Sequence, residues 1–224
     1  MVDAYAAAPA PLHRLIPSRF PPIGVFDTVA TAADLQAVME LVGWTNDRLV
    51  AYRLARLPQD EWVYGRPNSS IVMAAFLHVA AKGMRFNRGE LGAWYAAGGL
   101  RTAVAEVAHH LRREALASGV ADIVRTYRAY MCTLGGSYLD LRGKQAVYPD
   151  LYASGSYDAS QSFGEDVRAR GDAGLIYDSL RHAGGVNAVA YRPRNVNDIV
   201  QADHFEIAAK AGFRQIIVKK LTSA

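Results

Sequence analysis

The feature that most limits this chain is a change of texture at Gly83. Before it the apolar residues recur at helical spacing; after it they fall mostly into short runs bounded by glycine. Thr31 is placed to cap a helix carrying Leu35, Val38, Met39 and Val42 that ends near Gly43. Thr45 is placed to cap a second, with Leu49, Val50 and Leu54, which Pro58 stops. Asn68 or Ser69 opens a third, Ile71 to about Ala80. Beyond Gly83 the pattern predicts strands at Gly92–Ala97, Ile123–Thr133, Tyr138–Leu141, Gly174–Asp178, Val186–Arg192 and Gln215–Leu221. Helices are expected at Leu100–Ser118, Ala159–Arg170 and Asp203–Ala211. Leu12–Pro17 is a short apolar run, and the Ala- and Pro-rich residues 1–11 read as a loose tail. Helices first, then a strand-rich core with interspersed helices, make the fold class α+β in a single domain.

Composition narrows the function classes. Of 224 residues, 51% are apolar and 21% charged, ordinary globular usage with enough apolar mass for one core. The single cysteine, Cys132, forbids an intrachain disulfide and leaves no sulfur-based zinc site; it is expected to be a small buried hydrophobe. No run reaches the roughly 18 residues of a membrane span. Residues Met1–Pro11 lack the pattern of a signal peptide, so a cytoplasmic location is expected, away from any membrane. Lys and Arg number 25 against 21 Asp and Glu, a net charge of +4. The basic residues are spread singly, with no block longer than Arg112-Arg113 or Lys219-Lys220, which argues against direct binding of nucleic acid.

The common catalytic signatures are missing. There is no GxGxxG, no GxxxxGK[ST], no HExxH and no GxSxG, so a nucleotide is not held by a glycine-rich loop and no metal site is expected. What stands out is Met84–Leu111: Arg85 in an Arg-Phe-Asn turn, Tyr95 in a short strand, and Glu106 in the following helix. With Val104 at zero on the helical wheel, Glu106 falls at about 200° and His110 at about 240°, off the apolar face. Spacing alone also allows a plain reading. Glu106 would then be a solvated residue pairing with His110, Arg85 a surface arginine and Tyr95 a core aromatic. Arg53 falls in a helical pattern and reads as a surface residue. Arg181 and His182 lie in a loop just after Ser179, where a role beside a phosphate or an acceptor stands level with none.

Three segments carry a family resemblance: Arg85-Phe86-Asn87, Ala93-Trp94-Tyr95-Ala96-Ala97, and Thr102 to Leu111 with Glu106 at its centre. Together with Gly174 to Ser179, Gly184-Gly185-Val186-Asn187 and the leading His13-Arg14-Leu15, they resemble the RES-domain family, over Leu12 to Arg192. The domain is then expected over 12–224. Residues Val29–Lys82 depart from its shorter members as a helical insertion. The resemblance implies a split mixed β-sheet like that of diphtheria-toxin-type ADP-ribosyltransferases, with NAD bound as substrate in the cleft. It also implies the toxin of a bacterial toxin–antitoxin pair, neutralised by an Xre-type antitoxin in an oligomeric complex.

On that resemblance Arg85, Glu106 and Ser179 are the expected catalytic residues, and Arg14, Tyr95 and Asn187 are expected to bind NAD. Cleaving the nicotinamide–ribose bond builds positive charge on the ribose, which a carboxylate such as Glu106 stabilises. Guanidinium groups at Arg85 and Arg14 suit the pyrophosphate without any glycine-rich loop. Hydrolysis and phosphorolysis both consume NAD. The alternatives are mono-ADP-ribosyl transfer to a protein acceptor and a non-catalytic binding module on the same fold.

Overall fold

The computed structural model describes residues 4–18, 24, 26–35, 37 and 48–222. Its frame is one sheet of nine strands in chain order: β1 (Tyr5–Ala6), β2 (Leu12–Pro17), β3 (Trp94–Ala97), β4 (Asp122–Leu134), β5 (Tyr138–Asp140), β6 (Gly174–Asp178), β7 (Val186–Ala190), β8 (Val196–Lys210) and β9 (Ile216–Leu221). The spatial order is β1-β5-β6-β7-β3-β2-β4-β8-β9. Every neighbouring pair is antiparallel except β5 with β6, so the sheet is mixed. The helices among the described residues include α1 (Arg48–Ala55), α2 (Ser69–Leu77), α3 (Leu100–Ser118) and α4 (Asp158–Ala169). The α+β class expected from the sequence is the class observed, and among the described residues no helix is long and apolar enough to cross a membrane.

Strand alternation sorts the core by face. Trp94, Ala96, Ile176, Ala188 and Ala190 point to the side where α2 packs with Met73, Phe76 and Leu77. Their neighbours Ala93, Leu175, Tyr177, Val189 and Tyr191 point to the opposite side, with Phe86 and with Val167 of α4. A third cluster seats α3, through Val104, Ala108 and Leu111, on Tyr127, Ala129, Phe205, Ile207 and Ala209 of β4 and β8. With that face buried, Glu106 stands to the side of α3.

The sheet is nearly parted at one seam. β2 pairs with β4 along its whole length, from Leu12↔Cys132 to Pro17↔Tyr127, and β3 pairs fully with β7. Between β2 and β3 there is a single register pair, His13↔Ala97. The split expected of the sheet is not formed: the nine strands make one continuous sheet, which at this seam is joined by one register pair.

Four further expectations need correction or limits. Asp203–Ala211 is not a helix: Asp203–Lys210 belong to β8 (Val196–Lys210), which pairs with β4, and Ala211 enters the turn after it. Its Ala, Glu and Lys favour helix, yet Phe205, Ile207 and Ala209 are buried at every second position, and pairing on both sides overrides propensity. Residues 1–11 are not wholly loose, since Tyr5 and Ala6 pair with Leu139 and Tyr138. Arg53 is buried, donating Nη1 to the Leu77 carbonyl at 2.7 Å and Nη2 to the Gly89 carbonyl at 3.1 Å. The helix expected after Thr31 begins as read, with the Asp34 N–H donating to Thr31 Oγ1 at 3.1 Å. Val38, Met39, Val42, Gly43 and Thr45 lie outside the described residues.

Candidate active site

A cleft of about 250 Å³ lies at the parted seam, with His13, Arg14 and Leu15 of β2 on one side and Tyr95, Ala96 and Ala97 of β3 on the other. Glu106 of α3, Asn187 of β7, Arg85, Tyr157, Tyr177 and Arg181 complete its wall. All six residues singled out in the sequence are within this constellation. Five line the cleft, and Ser179 touches it through Glu106.

Glu106 is anchored through one oxygen. Its Oε1 accepts from Ser179 Oγ and from Asn187 Nδ2, each at 2.7 Å. Oε2 has no hydrogen bond among the described residues. The His110 partnership suggested by helical spacing is not formed as a hydrogen bond. Ser179 and Asn187 are both buried, so the two donors are fixed by packing before any ligand arrives. Ser179 Oγ also accepts from the backbone N–H of Arg181 and of His182, each at 3.1 Å, which makes it the capping atom of a turn. Its proton is donated to the carboxylate, and among the described residues no histidine ring is hydrogen-bonded to it.

Arg14 is built into the seam. Nη1 donates to the Tyr95 carbonyl at 2.8 Å, and the guanidinium lies 4.6 Å from the Trp94 ring centroid. This bond takes a β3 carbonyl that a fully paired β2 would have used. Burial pushes the guanidinium pKa down to about 10, with the Cys132 and Tyr95 side chains opposing the shift. Cys132 behind it is buried, its thiol raised to about 11 by burial, which makes it a packed hydrophobe and not a nucleophile.

Arg85 reaches the cleft from a tight turn in which the Met84 N–H donates to the Asn87 carbonyl at 2.9 Å. Gly83 opens this turn at φ +68°, and a Cβ there would run into the Asn87 carbonyl oxygen. Arg85 Nη1 donates to the carbonyls of Leu151 and Ala153 at 3.1 and 2.9 Å, and the guanidinium stacks 4.7 Å from the Tyr157 ring. Among the described residues Nε and Nη2 make no hydrogen bond, so Arg85 keeps donors for a ligand. Tyr95 has spent its hydroxyl, donating to Asn87 Oδ1 at 2.8 Å and accepting from the Phe86 N–H at 3.0 Å. It presents its ring to the cleft and ties the Arg85 turn to β3. Burial raises its phenol pKa.

The electrostatics of the wall are mainly positive. Arg14, Arg85 and Arg181 face one carboxylate, Glu106, and burial with the nearby Arg181 charge lowers the His109 pKa to about 4, leaving that ring neutral. Such a wall favours an anionic ligand with one cationic or electron-poor centre near Glu106. Asn87 and Tyr157 were not singled out as site residues. Asn87 stands inside the quoted Arg-Phe-Asn motif, which was a usable signal; Tyr157, brought in by the loop after β5, had none. Among the described residues no group of three or more His, Cys, Asp or Glu is arranged to hold a metal ion.

The class the structure defines is an α+β protein with a cleft at one seam of its sheet and an anchored carboxylate in the wall. Its family is shown by sequence: the RES domain matches residues 51–209, and the chain belongs to the RES-domain family. The match begins within the 29–82 stretch read as an insertion and leaves β2, with Arg14, outside. The uncharacterized protein y4oC of Sinorhizobium fredii is 27% identical over 197 residues, covering 86% of this chain and 80% of that protein. Among solved structures, the Mycobacterium tuberculosis MbcT–MbcA toxin–antitoxin complex gives a TM-score of 0.40 at 19% identity, covering 55% of this chain and 73% of the matched one.

Proposed function

We propose that this protein is the toxin of a toxin–antitoxin pair and that it cleaves the nicotinamide–ribose bond of NAD in the cleft between β2 and β3. Membership of the RES-domain family supports the class. The observation that carries the chemistry is Glu106, its Oε1 held by Ser179 and Asn187 at 2.7 Å and its Oε2 left for a substrate.

In this reading Arg85 takes the pyrophosphate through Nε and Nη2, while Arg14 adds positive charge from the floor of the seam. The Tyr95 and Tyr177 rings offer aromatic surface for nicotinamide. The glycosidic bond breaks with its electron pair passing to the nicotinamide nitrogen, which leaves as a neutral molecule. Positive charge moves to the ribose, and Glu106 stabilises it; no strong general acid is required because the leaving group is already cationic. An acceptor oxygen then bonds to the ribose carbon and loses its proton. Water, phosphate or a protein side chain can fill that place, giving hydrolysis, phosphorolysis or ADP-ribosyl transfer. NAD consumption in the cytoplasm would arrest growth, and an Xre-type antitoxin covering the cleft would prevent it.

The test is to incubate the purified protein with labelled NAD and cell lysate, with and without phosphate, and follow the label. Release of free nicotinamide with the ADP-ribose label in small molecules is expected. Label gathered on a discrete protein band would replace NAD degradation with transfer. No nicotinamide release from wild type, with no toxicity in cells, would leave only a binding module.

A further inference from the structure

The turn that carries Ser179 is docked on α3 at a second point that does not touch the cleft. Thr102 Oγ1 lies 2.9 Å from His182 Nδ1, a hydrogen bond in either tautomer. Thr102 is buried and stands four residues before Glu106, on the same side of α3. The turn is closed by the Ser179 N–H donating to the Gly185 carbonyl at 2.8 Å and the Gly185 N–H donating to the His182 carbonyl at 2.9 Å. His182 also gives its own N–H to Ser179 Oγ. One residue therefore joins the helix to the hydroxyl that holds the carboxylate. Gly185 permits the approach, because a Cβ there would lie 2.7 Å from Thr102 Oγ1 and 2.9 Å from His182 Nδ1.

We propose that Thr102 and His182 are a positioning pair, whose contact seats the Ser179 turn on α3 and thereby sets the direction of the Glu106 carboxylate. This rests on Glu106 acting in the proposed reaction. Neither residue lines the cleft, so the pair acts through Ser179 and leaves substrate contacts alone. Thr102→Val keeps the side-chain shape, and His182 is only partly buried, so the variant removes the hydrogen bond with little change in packing.

The test uses Thr102→Val, Thr102→Ser and Gly185→Ala in the full chain. Nicotinamide release should show kcat lowered about tenfold or more in Thr102→Val and Gly185→Ala, with KM within about twofold of wild type. Thr102→Ser should recover most of the rate. Unchanged kcat in Thr102→Val overturns the proposal, as does an equal loss in Thr102→Ser, which would mark a packing role. A second readout needs no turnover: the NMR signals of the Arg181 and His182 amides and of the Asn187 side-chain amide should move in Thr102→Val and return in Thr102→Ser. If wild type releases no nicotinamide, the NAD reading fails by itself, and these signals still decide the pair. Unmoved signals overturn it.

Discussion

Replacing Ser179 by Ala separates a serine that positions a carboxylate from one that attacks a substrate. The hydroxyl donates to Glu106 Oε1 at 2.7 Å and accepts two backbone amides at 3.1 Å. A hydrogen bond to a charged group contributes about 1.5–3 kcal/mol, and about 1.36 kcal/mol is tenfold in rate. If the bond acts wholly in the transition state, its loss lowers kcat roughly 10- to 150-fold. Asn187 Nδ2 still holds Oε1, so the carboxylate is loosened and not released. Loss of a true nucleophile costs on the order of a millionfold, well outside that range. The assay is the initial rate of nicotinamide release over a range of NAD concentrations, beside a thermal melt to confirm folding. KM should change little, because Ser179 Oγ is occupied by Glu106 and the turn. A loss above about ten-thousandfold in folded protein would refute the positioning role, and a loss under about threefold would show that Glu106 does not depend on the serine.

Other outcomes follow from the same geometry. Arg85→Ala should weaken NAD binding in a calorimetric titration more than Glu106→Gln does, because Arg85 offers ground-state donors to the phosphates; equal losses would contradict that division. Asp27 caps α2 from a distance, accepting from the Ser70 N–H at 2.8 Å and the Asn68 N–H at 2.9 Å. Asp27→Ala should therefore cost about 1–2 kcal/mol in urea unfolding, and no loss would show that the cap is replaced by water. The His109 pKa of about 4 lies below the ordinary 6.5 because of burial and, next, Arg181. Between those values the unfolded chain binds a proton that the folded chain does not, so this contribution to stability is lost as pH falls from 6.5 towards 4. His109→Gln should flatten that part of the stability profile relative to wild type, and an unchanged slope would refute the assignment.

Much of the site was legible because its residues sit in short motifs on regular elements. The apolar spacing of Leu100–Ser118 matched α3 and put Glu106 off its buried face. The glycine-bounded strands at β3, β6 and β7 carried Tyr95, the approach to Ser179, and Asn187. What stayed hidden depends on pairing between distant segments. The Asp203–Ala211 stretch has helix-forming residues, and only its place between β4 and β9 makes it strand. Arg53 looks like any helix-surface arginine until the carbonyls of Leu77 and Gly89 are seen to converge on it. Arg14 likewise shows nothing in its own sequence of a guanidinium set between two strands, bonded to the Tyr95 carbonyl 81 residues away. Tyr157 meets Arg85 only because the loop after β5 folds back over the Arg85 turn.

The most direct measurement is nicotinamide release from NAD by purified wild type and by Glu106→Gln, with NAD affinity measured for both by calorimetry. Glutamine keeps the size of the side chain and an oxygen for Ser179 and Asn187, and removes the charge. If Glu106 stabilises the developing ribosyl cation, release should fall about a hundredfold or more while NAD affinity stays within a few-fold of wild type. Release by Glu106→Gln at the wild-type rate, with wild type clearly above background, would contradict a catalytic carboxylate at this position.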